Sequence, residues 1–392
     1  MRARLAVVVS HPVQYHAPLF REFARRLDLC VFFAHRASPE DQARAGFGAG
    51  FDWDVDLLQG YEHRFMVNVA KAPGLDRFGG CDAPEVGSLL AGGRFDAVLL
   101  MGWRLKADIQ AALAAKRLGL PVLVRGDSQL GTHRAVAKRL MKALAYPLLL
   151  RAYDAALYVG QRSKAYWTRF GYPSDRLFFS PHCVDAGWFG AHATSQARSA
   201  LRDRLGIAPD RPVALFAGKL LPFKRPLDLI AAAEALRRRD REVSVLVAGA
   251  GPLEGAMAAA ARAAGLDYHP LGFCNQSRMP QVYAAADVLV LPSDGGETWG
   301  LVANEALACG RPIVLSQDVG SAPDLAADGS AGRMFRTGDP DALADALMSV
   351  VAQPPSQAAI AERSGAYSLA AALGGVEEAL ERVRRRGHGG NR

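Results

Sequence analysis

The stretch VLVLPSDGGETWGLVANEALACGRPIVLS, Val288 to Ser316, contains one complete structural repeat. A short run of Val and Leu reads as a buried strand, and DGGETWG after it as a loop. Leu301 to Cys309 is expected to be helical and to stop at Gly310 and Pro312, before PIVLS resumes as a second strand. Strand, helix, strand in that order makes a βαβ unit on a parallel sheet. The same grammar runs along the whole chain. LAVVV, CVFF, DAVLLM, PVLV and AALYV in the first half, and VALFAG, VSVLVAG, VLVLP and PIVLS in the second, alternate with helix-length amphipathic segments. Each strand ends in Gly, Ser or Asp, at the carboxyl edge where open α/β sheets bind ligands. The fold class is therefore α/β, with two Rossmann-like doubly wound domains facing each other across a cleft. The expected divisions are a first domain over 1–190, a small polar linker at Ala191 to Ser199, a second domain over 200–370, and a C-terminal helix and basic tail over 371–392, frayed after Glu381.

Bulk properties agree with this reading. A length of 392 residues exceeds what one core usually supports and favours two domains of roughly 150 to 200 residues. The apolar runs are too short for a membrane span. In MRARLAVVVSHP the apolar run breaks at His11-Pro12 without a small-residue cleavage pattern, so a first strand fits better than a secretory signal. Five scattered cysteines, none in a CxxC pair, read as reduced thiols and place the protein in the cytoplasm. The net charge of +8 is unevenly divided. Met1 to Gly190 holds 25 basic and 17 acidic residues, and Ala191 to Arg392 holds 22 of each. Any anionic partner is thus expected at the first half; no nucleic-acid partner is expected.

The second half contains the sharper chemistry. After VALFAG comes GKLLPFKRP, where Gly218, Lys219 and Lys224 lead into a helix. Glycine admits a ligand close to backbone, and two lysines near a helix start supply charge for a diphosphate. A plain strand-to-helix turn with solvated lysines is the competing account. Gly300 and Leu301 open the helix in the quoted stretch, where free N–H groups favour an anion. Glu297 lies ahead of that turn and Glu305 lies eight residues on. A carboxylate accepts two hydrogen bonds side by side, which suits the paired hydroxyls of a ribose or a hexose. As simple structural groups, Glu297 would be a helix-dipole partner and Glu305 a solvated helix residue.

GKLLPFKRP, VAGAGPL, LGF, ETWGLVANEALACGRPIV and SQDVGSAPDLAADGSAGRMF follow one another in the order and spacing of the family 4 retaining glycosyltransferases of the GT-B fold, and Val213 to Phe335 resembles that family throughout. The resemblance implies that Lys219, where arginine is more usual, and Lys224 bind a donor diphosphate. It implies that Gly300 and Leu301 offer backbone amides to the phosphates, that Glu305 holds the ribose and Glu297 the transferred sugar, and that the turn after Phe273 borders the base; Gly218 joins these donor-binding residues from the reading of its turn.

In the first half the loop SHPVQYHAPLF offers His11, Gln14, Tyr15 and His16, read as hydrogen-bonding acceptor contacts rather than metal ligands, although helix capping would also account for the imidazoles. Many members of the family place a histidine after the strand matched by PVLV. VRGDSQLGTHR offers Arg125, Asp127 and Ser128 there instead. Asp127 is the candidate acid/base group beside Glu297 at the catalytic centre, with an Asx turn as the alternative. Arg125 is assigned to the acceptor. FDWDVDL imitates a DxD metal motif, but its alternation reads better as a strand with one wet face. No metal and no cofactor are expected beyond the nucleoside diphosphate sugar donor.

These readings converge on a retaining, metal-independent glycosyltransferase moving a hexose-type unit to an acceptor hydroxyl in cell-envelope, polysaccharide or glycoconjugate biosynthesis. The acceptor is a glycan, lipid-linked or small molecule. A nucleotide-sugar epimerase of the same fold and a non-catalytic nucleotide-sugar-binding protein stay open. THRAVAKRLMKALAYPLLLR, Thr132 to Arg151, sets Arg134, Lys138 and Lys142 on one helix face beside apolar residues, which suits peripheral docking at the anionic inner face of a membrane. The competing account makes Ala137, Leu140, Met141 and Leu144 the core-facing stripe of an ordinary Rossmann helix.

Overall fold

The computed structural model describes residues 2–43, 46, 50–131 and 136–389. Among these, the strands form two parallel sheets. The first combines β1 (Arg4–Val9), β2 (Asp28–Phe33), β3 (Glu62–Phe65), β4 (Ala97–Leu100), β5 (Val122–Gly126), β6 (Ala155–Tyr158) and β7 (Leu177–Phe179) in the order β3-β2-β1-β4-β5-β6-β7. The second combines β8 (Val213–Ala217), β9 (Ser244–Ala248), β10 (Tyr268–Pro270), β11 (Val288–Leu291), β12 (Ile313–Ser316) and β13 (Gly332–Phe335) in the order β10-β9-β8-β11-β12-β13. Strand order reverses between β1 and β4 and between β8 and β11, the points at which open α/β sheets bind ligands. The central strands are almost wholly buried Val, Leu and Ala, as parallel strands covered on both faces must be.

All nine strands expected from sequence are present. The four that were not expected, β3, β7, β10 and β13, are the four sheet edges. EHRF and YHP lie half open to solvent and lack the apolar run that marks the others. FDWDVDL is not a strand. Its segment bends irregularly, because the Asp56 carboxylate caps the backbone N–H groups of Leu58 and Gln59 at 2.8 and 2.9 Å.

The chain crosses between domains earlier than the Ala191 to Ser199 segment. Cys183 packs in the first core and Val184 already in the second. The expected linker is largely helical, spanning the end of the helix Ala186–His192 and the start of Ser195–Leu205. Arg198 and Arg202 of the latter helix pair with Asp287 at 2.6 and 2.7 Å, which ties it to the second domain. The chain returns at its end. The helix Leu369–Gly389 buries Leu373, Val376 and Leu380 in the first core, and it continues through the stretch after Glu381 expected to fray.

Candidate active site

A cavity of about 560 Å³ lies between the carboxyl edges of the two sheets and is lined from both domains. That size suits a ligand larger than a single sugar. On the second-domain side stand Gly218, Lys219, Lys224, Phe273, Gly300, Leu301 and both glutamates of the quoted stretch. Gly300 has φ +90°, and a Cβ there would stand 2.5 Å from the Leu291 side chain. Glycine is thus required for the loop after β11 to turn into the helix Val302–Ala308. The turn brings Glu297 against Lys224 as an ion pair between two side chains that are each largely buried. Ser293 Oγ lies 3.5 Å from the same Glu297 oxygen. Burial, reinforced by the neighbouring Lys224 charge and opposed by Glu297, lowers the affinity of Lys219 for its proton.

Glu305 is buried, and the Tyr283 hydroxyl donates to its Oε2 at 2.6 Å. Desolvation pushes the Glu305 carboxyl up to about 7, against the opposing effect of the Tyr283 hydrogen bond. A carboxyl at that balance point changes charge near neutrality.

On the first-domain side, Gln14, Tyr15, His16, Asp127 and His182 face the cavity. Thr298 Oγ1 donates across the cleft to Asp127 Oδ2 at 2.7 Å, and His182 Nε2 stands 3.8 Å from the same oxygen. The Asp127 side chain keeps 44% of its surface open to the cavity. Burial alone would raise its proton affinity, but bonds and charge from His182 and the Thr298 hydroxyl outweigh it and hold the carboxyl below its usual range. Burial also lowers His182, with Asp127 working the other way. His182 is further fixed by its carbonyl, which accepts from Asn304 Nδ2 at 3.2 Å; Asn304 Oδ1 in turn accepts from Trp299 Nε1 at 2.8 Å. His16 Nδ1 is buried with no hydrogen-bond partner in the described structure, and burial depresses its proton affinity strongly.

Two expected acceptor residues are not brought to the cavity. His11 turns its Nδ1 to Ser10 Oγ at 2.9 Å, and burial beside His35 lowers it to about 4. Arg125 is buried and spends its guanidinium on Ser180 O at 3.2 Å and Pro181 O at 2.6 Å. It holds the β7 exit, and so sets His182, rather than reaching a substrate. His182 and Thr298 are the site residues that the sequence reading passed over. His182 follows a half-exposed edge strand, LFF, that carries no strong pattern, so nothing marked the histidine as lying at a carboxyl edge. Among the described residues no group of three His, Cys, Asp or Glu side chains is placed to hold a metal ion.

A second feature lies on the helix Val136–Leu149. Met141, Leu144, Leu148 and Leu149 are exposed to 62, 73, 75 and 60%, so Met141 and Leu144 do not face the core. Lys142 turns back onto its own domain, with Nζ 3.3 Å from the Tyr166 hydroxyl and 4.7 Å from the centre of the Tyr146 ring. Arg134 lies outside the described residues. No helix among the described residues is long and apolar enough to cross a membrane.

Two Rossmann-like domains, with Lys219, Lys224, Glu297 and Glu305 lining the cavity between their sheets, make up a GT-B architecture. Residues 197–366 match the family model described as glycosyl transferases group 1. A D-inositol 3-phosphate glycosyltransferase of Saccharomonospora viridis is 38% identical over 177 residues, covering 42% of this chain and 40% of the relative. A GDP-mannose-dependent alpha-(1-6)-phosphatidylinositol monomannoside mannosyltransferase of Mycolicibacterium smegmatis is 30% identical over 215 residues, covering 53% and 55%. The matches thus span about half the length of these curated relatives or less. Over the whole chain the likeness is of fold. The Anabaena protein HepE, solved with UDP and glucose, superposes with a TM-score of 0.69 at 18% identity, covering 96% of this chain and 99% of that one. A glycosyltransferase from Rickettsia africae gives 0.74 at 15%, covering 97% and 99%.

Proposed function

We propose that this protein transfers a sugar from a nucleoside diphosphate sugar to an acceptor hydroxyl with retention of anomeric configuration and without a metal ion. The observation that carries the reading is the interdomain cavity, which joins Lys219, Lys224 and Glu297 from one domain to Asp127, His16 and His182 from the other. In this reading the lysines and the Gly300–Leu301 turn neutralise the departing diphosphate, work a divalent ion would otherwise do. Glu305 holds the ribose and Glu297 the transferred sugar. Asp127, kept ionised by its partners, is a weak base; its role is to orient the acceptor hydroxyl as a hydrogen-bond acceptor while the leaving phosphate takes the proton. The acceptor enters from the first domain, past Gln14, Tyr15 and His16, and closure of the cleft keeps water out.

The exposed apolar stripe on Val136–Leu149 supports docking at a membrane surface from the cytoplasmic side, with a lipid-linked or envelope glycan as acceptor. Titration with UDP-, GDP-, ADP- and dTDP-sugars, followed by NMR of the product formed in excess EDTA, tests the reading. Tight binding of one donor and a product of unchanged configuration are expected. An inverted product, or activity lost in EDTA and restored by manganese, overturns it. An epimer formed without acceptor would assign the protein to isomerisation, a chemistry hosted by a Rickettsia bellii neighbour of this fold.

A further inference from the structure

The FDWDVDL segment has no place in the chemistry above, yet it reaches from the first domain to the second. Asn275 Nδ2 donates to the Asp52 carbonyl at 2.7 Å. The Asp54 carboxylate accepts from the Ser277 backbone N–H at 3.0 Å and from the Ser277 hydroxyl. The Phe51 and Phe273 rings lie 4.2 Å apart, centre to centre. Of the aspartates that imitate a metal motif, Asp54 has its carboxylate occupied by Ser277 across the cleft and Asp56 by the backbone of its own turn, while Asp52 meets Asn275 through its backbone carbonyl. What the strap positions is Trp53. Its ring packs edge-on to Phe51, 4.9 Å between centres, and it lines the interdomain cavity together with Phe273 and Gln276.

We propose that Trp53 is a specificity-determining contact to the donor's nucleobase, supplied by the acceptor domain and held by the strap at Asp52 and Asp54. A flat apolar ring at a cavity wall recognises a flat, weakly hydrated π-face, and within a nucleoside diphosphate sugar only the base offers one. In that reading the phosphates are served by Lys219 and Lys224, which line the same cavity. This arrangement makes base recognition depend on both domains, so a donor is gripped fully only when the strap is joined to the Asn275–Ser277 turn. The inference rests on the proposed donor reading.

The test titrates UDP, GDP, ADP, dTDP and inorganic pyrophosphate into the wild-type chain and into Trp53→Ala, Trp53→Phe and Asp54→Ala. For the nucleoside diphosphate that the wild type binds best, Trp53→Ala is expected to weaken binding about ten- to a hundredfold, the range of one base–aromatic stack. Trp53→Phe should retain most of the affinity, and pyrophosphate should bind all variants alike. Asp54→Ala leaves the cavity wall intact but cuts the strap, and it should weaken the nucleotide in the same direction. Nucleotide should also quench tryptophan fluorescence less in Trp53→Phe than in the wild type. Equal nucleotide affinity in the wild type and in Trp53→Ala overturns the inference while leaving the donor reading intact. A parallel loss of pyrophosphate affinity overturns it too, since the defect would then be general. A wild type that binds none of the nucleotides overturns the donor reading and this inference together.

Discussion

At the scale of single residues, Glu305 carries the clearest electrostatic consequence. Its carboxyl titrates near 4.5 in an unfolded chain and at about 7 in the folded one, because burial disfavours the anion. A raised pKa gives stability that is fully present below the unfolded value and is lost as pH rises through the folded one. The protein should therefore lose on the order of a few kcal/mol between about pH 4.5 and 7 from this group, and Glu305→Gln should flatten that part of the profile in chemical denaturation. Donor affinity should move the other way, rising through the same window as the carboxylate needed for the ribose forms. Tyr283→Phe removes the bond that favours ionisation and should push both transitions to higher pH. A second expectation separates the two glutamates. Glu305→Ala and Lys224→Ala should each weaken donor binding about ten- to a hundredfold, the cost of one charge-assisted hydrogen bond, whereas Glu297→Ala should depress turnover more than affinity. Calorimetric titration beside single-turnover kinetics reads the difference, and unchanged donor affinity in both Glu305→Ala and Lys224→Ala would remove the site assignment. The second-domain wall of this cavity was largely legible in sequence, because Gly218, Lys219, Glu297 and Gly300 follow central strands whose apolar runs mark where carboxyl edges fall. His182 and Thr298 were not legible: one follows an edge strand, and the other gains its role only by reaching Asp127 from another domain.

Among the elements, the same rule decides what a sequence reveals. Strands covered on both faces are continuous apolar runs, and every one of them was read; the four edges, half wet and as short as LFF and YHP, were not. The helix Leu369–Gly389 shows what else was hidden, since no local signal tells a terminal helix which domain to join. Its place is fixed by packing at Gly375, where a Cβ would fall 1.8 Å from the Phe179 carbonyl oxygen of β7, whereas Gly374 next to it meets nothing within 4 Å. Two adjacent substitutions should thus part in sign. Gly374→Ala should stabilise by roughly 0.5 to 1 kcal/mol, the ordinary gain in helix propensity. Gly375→Ala should destabilise by about 1 to 3 kcal/mol as the helix is forced off the sheet. Urea denaturation of the pair decides, and equal effects would mean that the helix does not seat on β7 as described.

For the whole molecule, the question is which way it faces. All the excess positive charge lies in the first half, and the helix Val136–Leu149 of that half turns Met141, Leu144, Leu148 and Leu149 to solvent. A soluble Rossmann helix would bury those positions. The cation ladder read from sequence is weaker than it looked, because Lys142 is turned onto Tyr146 and Tyr166, so insertion of apolar side chains rather than charge should dominate any docking. The helix belongs to the first domain, so a bilayer touching it would meet the half of the molecule that also supplies Asp127 and His16 to the cavity. In flotation with vesicles, the protein is expected to rise with anionic lipid and to keep part of that binding at high salt. Leu144→Glu with Leu148→Glu should abolish it, and Lys142→Glu should reduce it only modestly, since each cation near an anionic surface is worth roughly 1 kcal/mol. Transfer to a short water-soluble acceptor should survive the double substitution, because neither leucine lines the cavity, whereas transfer to a membrane-embedded acceptor should fall with flotation. Flotation unchanged by Leu144→Glu with Leu148→Glu would remove the membrane from the account and leave the stripe as a contact for another protein surface.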